Sequence, residues 1–227
     1  MKKGISIKSE ERYYNVVKHN DLIQRTKYDL SMQEQKILLY VISKIKPEDD
    51  DFKLYEFRIK DFCAICGIDE DSGKNYSELR KAVLGIQNKG FYMKQNDGSY
   101  LSMNWIEKSI ISPKSGKIKI RFDKDMKPYL LKLKKRFTYY SVYYILAMKS
   151  KYSIRLYELL KSYENLESCE ENLVKCEFGI EHLKTLLAAE HYAEFSDFRV
   201  NVLNKAIKEI NDLSDIFVTY RIFNKIL

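Results

Sequence analysis

The sequence predicts an α+β fold built from two similar domains in tandem, each a helix-turn-helix followed by a β-hairpin. Three repeated blocks carry that expectation. The pattern Leu-x-Lys-Ala-(Val/Ile)-x-x-Ile-(Gln/Asn)-(Asn/Asp) runs from Leu79 to Asn88 and again from Leu203 to Asp212, offset by 124 residues. Phe57-x-Ile59-x-x-Phe62-x-x-Ile65 recurs as Phe178-x-Ile180-x-x-Leu183-x-x-Leu186, offset by 121. Ile37-x-Leu39-Tyr40 recurs as Ile154-x-Leu156-Tyr157, offset by 117. Blocks that return in one order at slowly drifting offsets are the mark of a duplicated domain with unequal loops.

Each element then follows from local signals. Residues 1–14 are polar and read as a flexible arm. Val16-Val17 opens a strand. Ser31 and Glu34 form a capping box for a helix through Ile45, closed by Pro47. The acidic run Glu48-Asp49-Asp50-Asp51 reads as a solvated loop. A strand at 52–57 leads into a short helix from Ile59 to Cys66, stopped by Gly67. A longer helix, 75–89, ends at Gly90. Strands at 91–94 and 100–111 flank Asn96-Asp97-Gly98, a hairpin turn. A further strand covers 117–122, and a helix is expected over 128–137. Helix, helix-turn-helix and hairpin describe a winged helix, whose second helix can enter a major groove. The second copy reads as helices at 143–148 and 154–163, a strand at 173–178, helices at 179–188 and 196–212, and a strand at 216–223. The expected division is arm 1–14, first winged helix 15–136 and second winged helix 137–227. The second wing reads as reduced or truncated, since only one strand follows the last helix.

Composition narrows the class. The 227 residues are 45% hydrophobic, enough for two folded domains. No apolar run approaches the roughly 20 residues of a membrane span, and no signal-peptide stretch opens the chain. The expected location is the cytoplasm, with no membrane partner. The net charge is +8. Residues 114–136 hold ten Lys or Arg against two Asp, and the rest of the chain is balanced, so the entire excess lies in one segment. Cys63 and Cys66 have a metal or redox spacing, but no second close pair accompanies them, and Cys66 falls where the repeat has core Leu187. Core thiols are expected.

Three motifs resemble a known family. Ser150-Lys151-Tyr152-Ser153-Ile154-Arg155-Leu156-Tyr157-Glu158-Leu159-Leu160 resembles the interdomain signature of iteron-binding plasmid replication initiators. Phe198-Arg199, Val202-Leu203 and Ala206-Ile207-Lys208-Glu209-Ile210-Asn211 resemble that family's second recognition helix. Val17-Lys18-His19-Asn20-Asp21-Leu22-Ile23, before a Leu-Ser-x-x-Glu-Gln helix start, resembles its opening. The resemblance spans residues 15–223 and implies two tandem winged helices related by pseudo-twofold symmetry. It implies binding to double-stranded plasmid origin repeats, recruitment of the host replication initiator and helicase machinery, a homodimer in equilibrium with monomer, and autorepression.

Candidate DNA contacts follow from the helix wheels. Val202, Leu203, Ala206, Ile210 and Leu213 share one side of the second recognition helix, which leaves Asn201, Asn204, Lys205 and Lys208 outside. Asn can pair with adenine, and Lys can reach guanine or phosphate. Arg199 falls on the apolar side of that wheel. Two roles are open to it: a phosphate contact from the helix start, or an ion pair inside the domain. In the first recognition helix Leu79, Ala82, Val83 and Ile86 face the core. Ser77, Lys81 and Asn88 face out, with Lys74 and Arg80 at the edges and Leu84 also outward. Lys81 and Lys205 are equivalent in the repeat. On strand 117–122, Lys117, Lys119 and Arg121 line one face roughly 7 Å apart. Like charges so placed want an anion, and a phosphate-tracking edge is expected. Lys132, Lys134, Lys135 and Arg136 are placed to contact phosphates near the interdomain joint. The tyrosines there read as packing.

No catalytic, metal or cofactor constellation is legible. Gly85 to Gly90 has P-loop spacing, but Phe91 stands where the lysine belongs. A nicking initiator would want two histidines one residue apart, and His19, His182 and His191 are scattered. The expectation is a non-enzymatic DNA-binding initiator. A winged-helix transcriptional regulator or protein-interaction module is the alternative, with a rolling-circle nicking enzyme behind it.

Overall fold

The computed structural model describes residues 14–67, 73–164 and 173–223. Strand β1 (Asn15–His19) leads into α1 (Asn20–Gln24), and the His19 imidazole accepts the Asp21 N–H there. A two-residue strand, β2 (Thr26–Lys27), precedes α2 (Met32–Ile42). The expected capping box is formed: Ser31 Oγ accepts from the Glu34 N–H, and the Glu34 carboxylate accepts from the Ser31 N–H at 2.6 Å. Every residue of α2 from Glu34 to Ile42 is buried. A helix buried all round is a central one, and α2 packs against the recognition helix on one side and the joint helices on others.

Strand β3 (Tyr55–Arg58) runs into α3 (Ile59–Cys66), which Gly67 ends at φ +66°, a conformation glycine adopts without strain. Helix α4 (Gly73–Asn88) buries Leu79, Ala82, Val83 and Ile86, the side its periodicity predicts. Two hairpins follow. Strands β4 (Gly90–Lys94) and β5 (Tyr100–Asn104) turn at Asn96-Asp97-Gly98, with Gly98 at φ +86°, and join β2 in one sheet. Strands β6 (Ile106–Ser112) and β7 (Lys117–Phe122) join β3 in another, in the order β3-β7-β6. The single strand expected over 100–111 is thus broken. Trp105, fully buried 4.1 Å from the Phe91 ring and 5.0 Å from Tyr28, ends one sheet and starts the next. The wing also moves. The hairpin that shares a sheet with β3, the strand entering the helix-turn-helix, is β6–β7, whose turn is Pro113–Gly116. The hairpin with the stronger turn sequence is an additional one.

The expected helix over 128–137 is only the one-turn α5 (Lys127–Leu130). Leu130, its last residue, and Leu131, its cap, are both buried, and Lys132 and Arg136 take φ of +50° and +53°, which breaks any helix. Strand β8 (Phe137–Ser141) then pairs antiparallel with β1. Helices α6 (Val142–Ala147) and α7 (Lys151–Lys161) are separate, as expected, but the break lies at Met148–Ser150, and α7 starts three residues before the expected Ile154 because Ser150 caps it. Helix α8 (Ile180–Leu186) and a continuous helical run from Phe195 to Leu213 complete the second copy. Expected strands at 173–178 and 216–223 join no sheet among the described residues. Apart from a bridge at Leu173 neither carries regular structure, since a segment becomes a sheet strand only where a second one supplies its ladder.

Helix α7 ties the two halves together. Lys18 on β1 and Glu158 on α7 form a fully buried ion pair at 2.7 Å. The Tyr140 hydroxyl donates to the same carboxylate at 2.5 Å. Arg155 donates to the carbonyls of Ile23 and Thr26 on one side, at 2.6 and 3.0 Å, and of Leu186 on α8 on the other, at 3.1 Å. Burying three charges is costly unless each is hydrogen-bonded; all three are bonded here, although Arg155 Nη1 is buried without a hydrogen-bond partner. The signature segment 150–160 is therefore bonded both to the β1–β2 region and, through Arg155, to α8. Of the joint tyrosines, Tyr140 and Tyr157 are buried with rings 5.2 Å apart, whereas Tyr139 and Tyr143 are exposed.

Candidate nucleic-acid interface

The second recognition element comprises α9 (Phe195–Phe198), a π-helical turn (Arg199–Leu203) and α10 (Asn204–Leu213). The π turn settles Arg199. Its carbonyl accepts from the Asn204 N–H, an i→i+5 bond. That wide turn spends an extra residue on one revolution, so each residue between Phe198 and Val202 turns the chain by less than the α-helical 100°. Phe198, Val202, Leu203, Ala206 and Ile210 all stay buried, and Arg199 and Val200 swing out to solvent. The interior ion pair left open for Arg199 is excluded, because a uniform 100° wheel misplaces every residue before the π turn. Asn204, Lys205 and Lys208 are exposed and Asn201 half-buried. Lys205 Nζ donates to Asn201 Oδ1 at 3.2 Å, and Lys208 pairs with Asp212 at 2.7 Å.

In α4, Ser77, Arg80, Lys81, Leu84 and Asn88 are all exposed. Lys81 is 3.2 Å from Glu78. Lys74 belongs to α4, but its side chain lies outside those described. The repeat equivalence of Lys81 and Lys205 holds at the level of exposure: each projects from the outer face of the second helix of its helix-turn-helix.

The basic segment is largely neutralised from within. Lys117 and Lys119 share Glu56 on β3 at 2.7 and 3.1 Å. Arg121 makes a two-pronged contact with Glu107 at 2.9 and 3.0 Å. The anions wanted by that face are carboxylates of neighbouring strands, and β7 is the middle strand of its sheet rather than an edge. The acidic run 48–51 is likewise more than a solvated loop. Asp50 pairs with Lys132, Asp51 with Lys127 at 2.8 Å, and Asp49 with Lys53 at 2.7 Å. Arg136 pairs with Asp21 at 3.0 Å. Lys134 and Lys135 are exposed and, with Lys114 in the β6–β7 turn, pair with no acid among the described residues. The sequence does not distinguish Lys114, because its value depends on which hairpin is the wing.

Little here resembles chemistry. Burial pushes the Cys66 thiol up to about 12, so at neutral pH it is protonated packing material. No cluster of three His, Cys, Asp or Glu suited to a metal ion occurs among the described residues. Gly85, first glycine of the P-loop-like spacing, faces the Glu34 carboxylate rather than an open cradle. His19 caps α1, and His182 and His191 are exposed. No helix among the described residues is long and apolar enough to cross a membrane.

Comparison with known proteins agrees with this architecture. The family model described as Initiator Replication protein, WH1 matches residues 15–161, and that described as Initiator Rep protein, WH2 matches residues 179–226. A replication initiation protein of Escherichia coli is 27% identical over 88% of this chain and 63% of its own length. The PI protein of Escherichia coli is 24% identical over 92% of this chain and 78% of its own. This chain thus spans under two thirds of the first relative. A crystal structure of Pi initiator protein in complex with iteron DNA superposes with a TM-score of 0.74 at 20% identity, covering 95% of this chain and 93% of that one. With both of its winged-helix domains matched in order, the chain belongs to the initiator replication protein family.

Proposed function

We propose that this protein is a sequence-specific double-stranded DNA-binding initiator of plasmid replication that recognises origin repeats through two helices, α4 and the 195–213 run. The observation that carries this reading is the outer face of each helix. Both present Lys, Arg, Asn or Ser to solvent while their opposite sides are built into the core. The relative of like fold that is held on iteron DNA supports the same reading.

In this reading Arg199, Asn201, Asn204, Lys205 and Lys208 contact one groove, and Lys74, Ser77, Arg80, Lys81 and Asn88 another. Lys134 and Lys135 meet phosphates, joined by Lys132 and Arg136 once these exchange their carboxylates. Lys117, Lys119 and Arg121 contribute only where phosphate displaces Glu56 and Glu107. The reaction is binding rather than catalysis. Host initiator and helicase proteins, and a second copy of this chain, are the further partners, and the cytoplasm is the place of action.

Duplexes selected from random DNA by the protein, then titrated with salt, test this. Log affinity for a selected duplex should fall linearly with log salt, at about −0.9 per phosphate neutralised. A flat response, or no sequence enrichment, would favour a module for protein contacts. Supercoiled plasmid incubated with Mg²⁺ and protein should yield no covalent phosphotyrosyl adduct, the product a nicking enzyme would leave.

A further inference from the structure

We infer that Tyr220 holds Asn204 as a hydrogen-bond donor, so that the second recognition helix reads guanine rather than adenine at that position. This rests on the DNA-binding reading above and deepens it. The segment after α10 folds back along the outer face of the helix. The Asn211 side chain clamps it: Nδ2 donates to the Val218 carbonyl at 3.0 Å, and Oδ1 accepts the Val218 N–H at 2.7 Å. Two residues on, the Tyr220 hydroxyl donates to Asn204 Oδ1 at 2.7 Å. Asn204 precedes Asn211 by two helical turns, so both contacts lie along one side of the helix.

The consequence is chemical. A paired contact to adenine needs an amide that accepts from N6 and donates to N7. Asn204 Oδ1 already accepts from Tyr220, and Asn201 Oδ1 from Lys205 Nζ at 3.2 Å, so one of each oxygen's two lone pairs is taken and an adenine N6 must compete for the other. The groups on this face that carry no such competition are donors: the two Nδ2 groups, the free N–H bonds of Lys205, and Arg199. The base edge with two adjacent acceptors is guanine, through O6 and N7. Asp212, the nearby acid, is taken by Lys208. Tyr220 touches no base in this account; it is a positioning residue acting through Asn204.

The test selects bound duplexes from one random library with wild type, Tyr220→Phe and Asn204→Ala, after equal helix content and unfolding midpoint are shown for all three. Wild type should enrich guanine at a position where Asn204→Ala loses its preference. Tyr220→Phe frees the Asn204 oxygen and should move that position toward adenine by about tenfold, with other positions unchanged. Three results would overturn the inference. Tyr220→Phe could leave the selected base as it was, wild type could prefer adenine there, or Asn204→Ala could weaken all sequences equally, the sign of a phosphate contact. No enrichment by wild type would instead remove the DNA-reading function itself, and this inference with it.

Discussion

Glu209 does from the recognition helix of the second copy what Glu34 does from α2 in the first. The Glu209 carboxylate accepts the Lys149 and Ser150 N–H groups at 2.6 and 3.2 Å, at the start of α7. Glu34 accepts the Ser31 N–H at 2.6 Å, at the start of α2, and also pairs with Lys89 at 2.7 Å. The residue equivalent to Glu209 is Gly85, where a Cβ would stand 2.0 Å from Glu34 Oε1. Each copy places one carboxylate at the same helix junction, supplied by opposite helices. Negative charge at a helix start meets unpaired N–H groups and the positive end of the dipole.

Glu209→Ala should therefore lower the stability of the second domain by about 0.5–2 kcal/mol, the range for loss of a cap. Urea unfolding followed by helical circular dichroism measures it. An unchanged midpoint would show that solvent caps α7 as well as Glu209 does.

The buried pair Lys18–Glu158 makes a sharper prediction. Lys18→Met or Glu158→Gln alone strands the other member and should cost about 3–5 kcal/mol, whereas Lys18→Met with Glu158→Leu should recover most of that loss. Burial alone would raise the Glu158 pKa, but the charges of Lys18 and Arg155 and the bonds from Lys18 and Tyr140 hold it below the usual carboxylate value. A depressed acid contributes stability above its unfolded pKa, and that contribution disappears as pH falls through the folded value. Wild type should lose more stability than the apolar double variant when urea unfolding is repeated from neutral pH down to below pH ~4. Parallel losses would assign acid sensitivity to other carboxylates.

Lys205 and Lys81 should differ in effect. Lys205 is held only by an amide oxygen, and Lys81 by the Glu78 carboxylate. Lys205→Ala should reduce discrimination at one base pair by about 1–3 kcal/mol, with a smaller effect for Lys81→Ala. Affinities on single-substitution duplexes decide the matter; an equal loss on every sequence would confine Lys205 to phosphate.

Glu56 masks two lysines beside the β6–β7 turn. Glu56→Gln should strengthen duplex binding at low salt and steepen the log–log slope by up to about 0.9 for each lysine released. A slope equal to that of wild type would restrict Lys117 and Lys119 to holding the sheet together.

What the sequence alone determined is local in its physics. The Ser31–Glu34 cap, the stop at Gly67, the strict alternation of β7 and the buried stripes of α4 and α10 are each set by residues within a few positions. The repeat made the duplicated order legible because two copies bury the same faces. Tertiary structure decided what depends on distant partners. Whether Lys117 or Arg121 is free depends on Glu56 and Glu107, and which hairpin is the wing depends on which one pairs with β3. The side taken by Arg199 depends on a π turn that a uniform wheel does not contain. Asn204 reads as a two-way amide until residue 220 is folded back upon it. Charge and hydrogen-bond capacity are written in the chain, but whether they are already spent is settled only when remote segments meet.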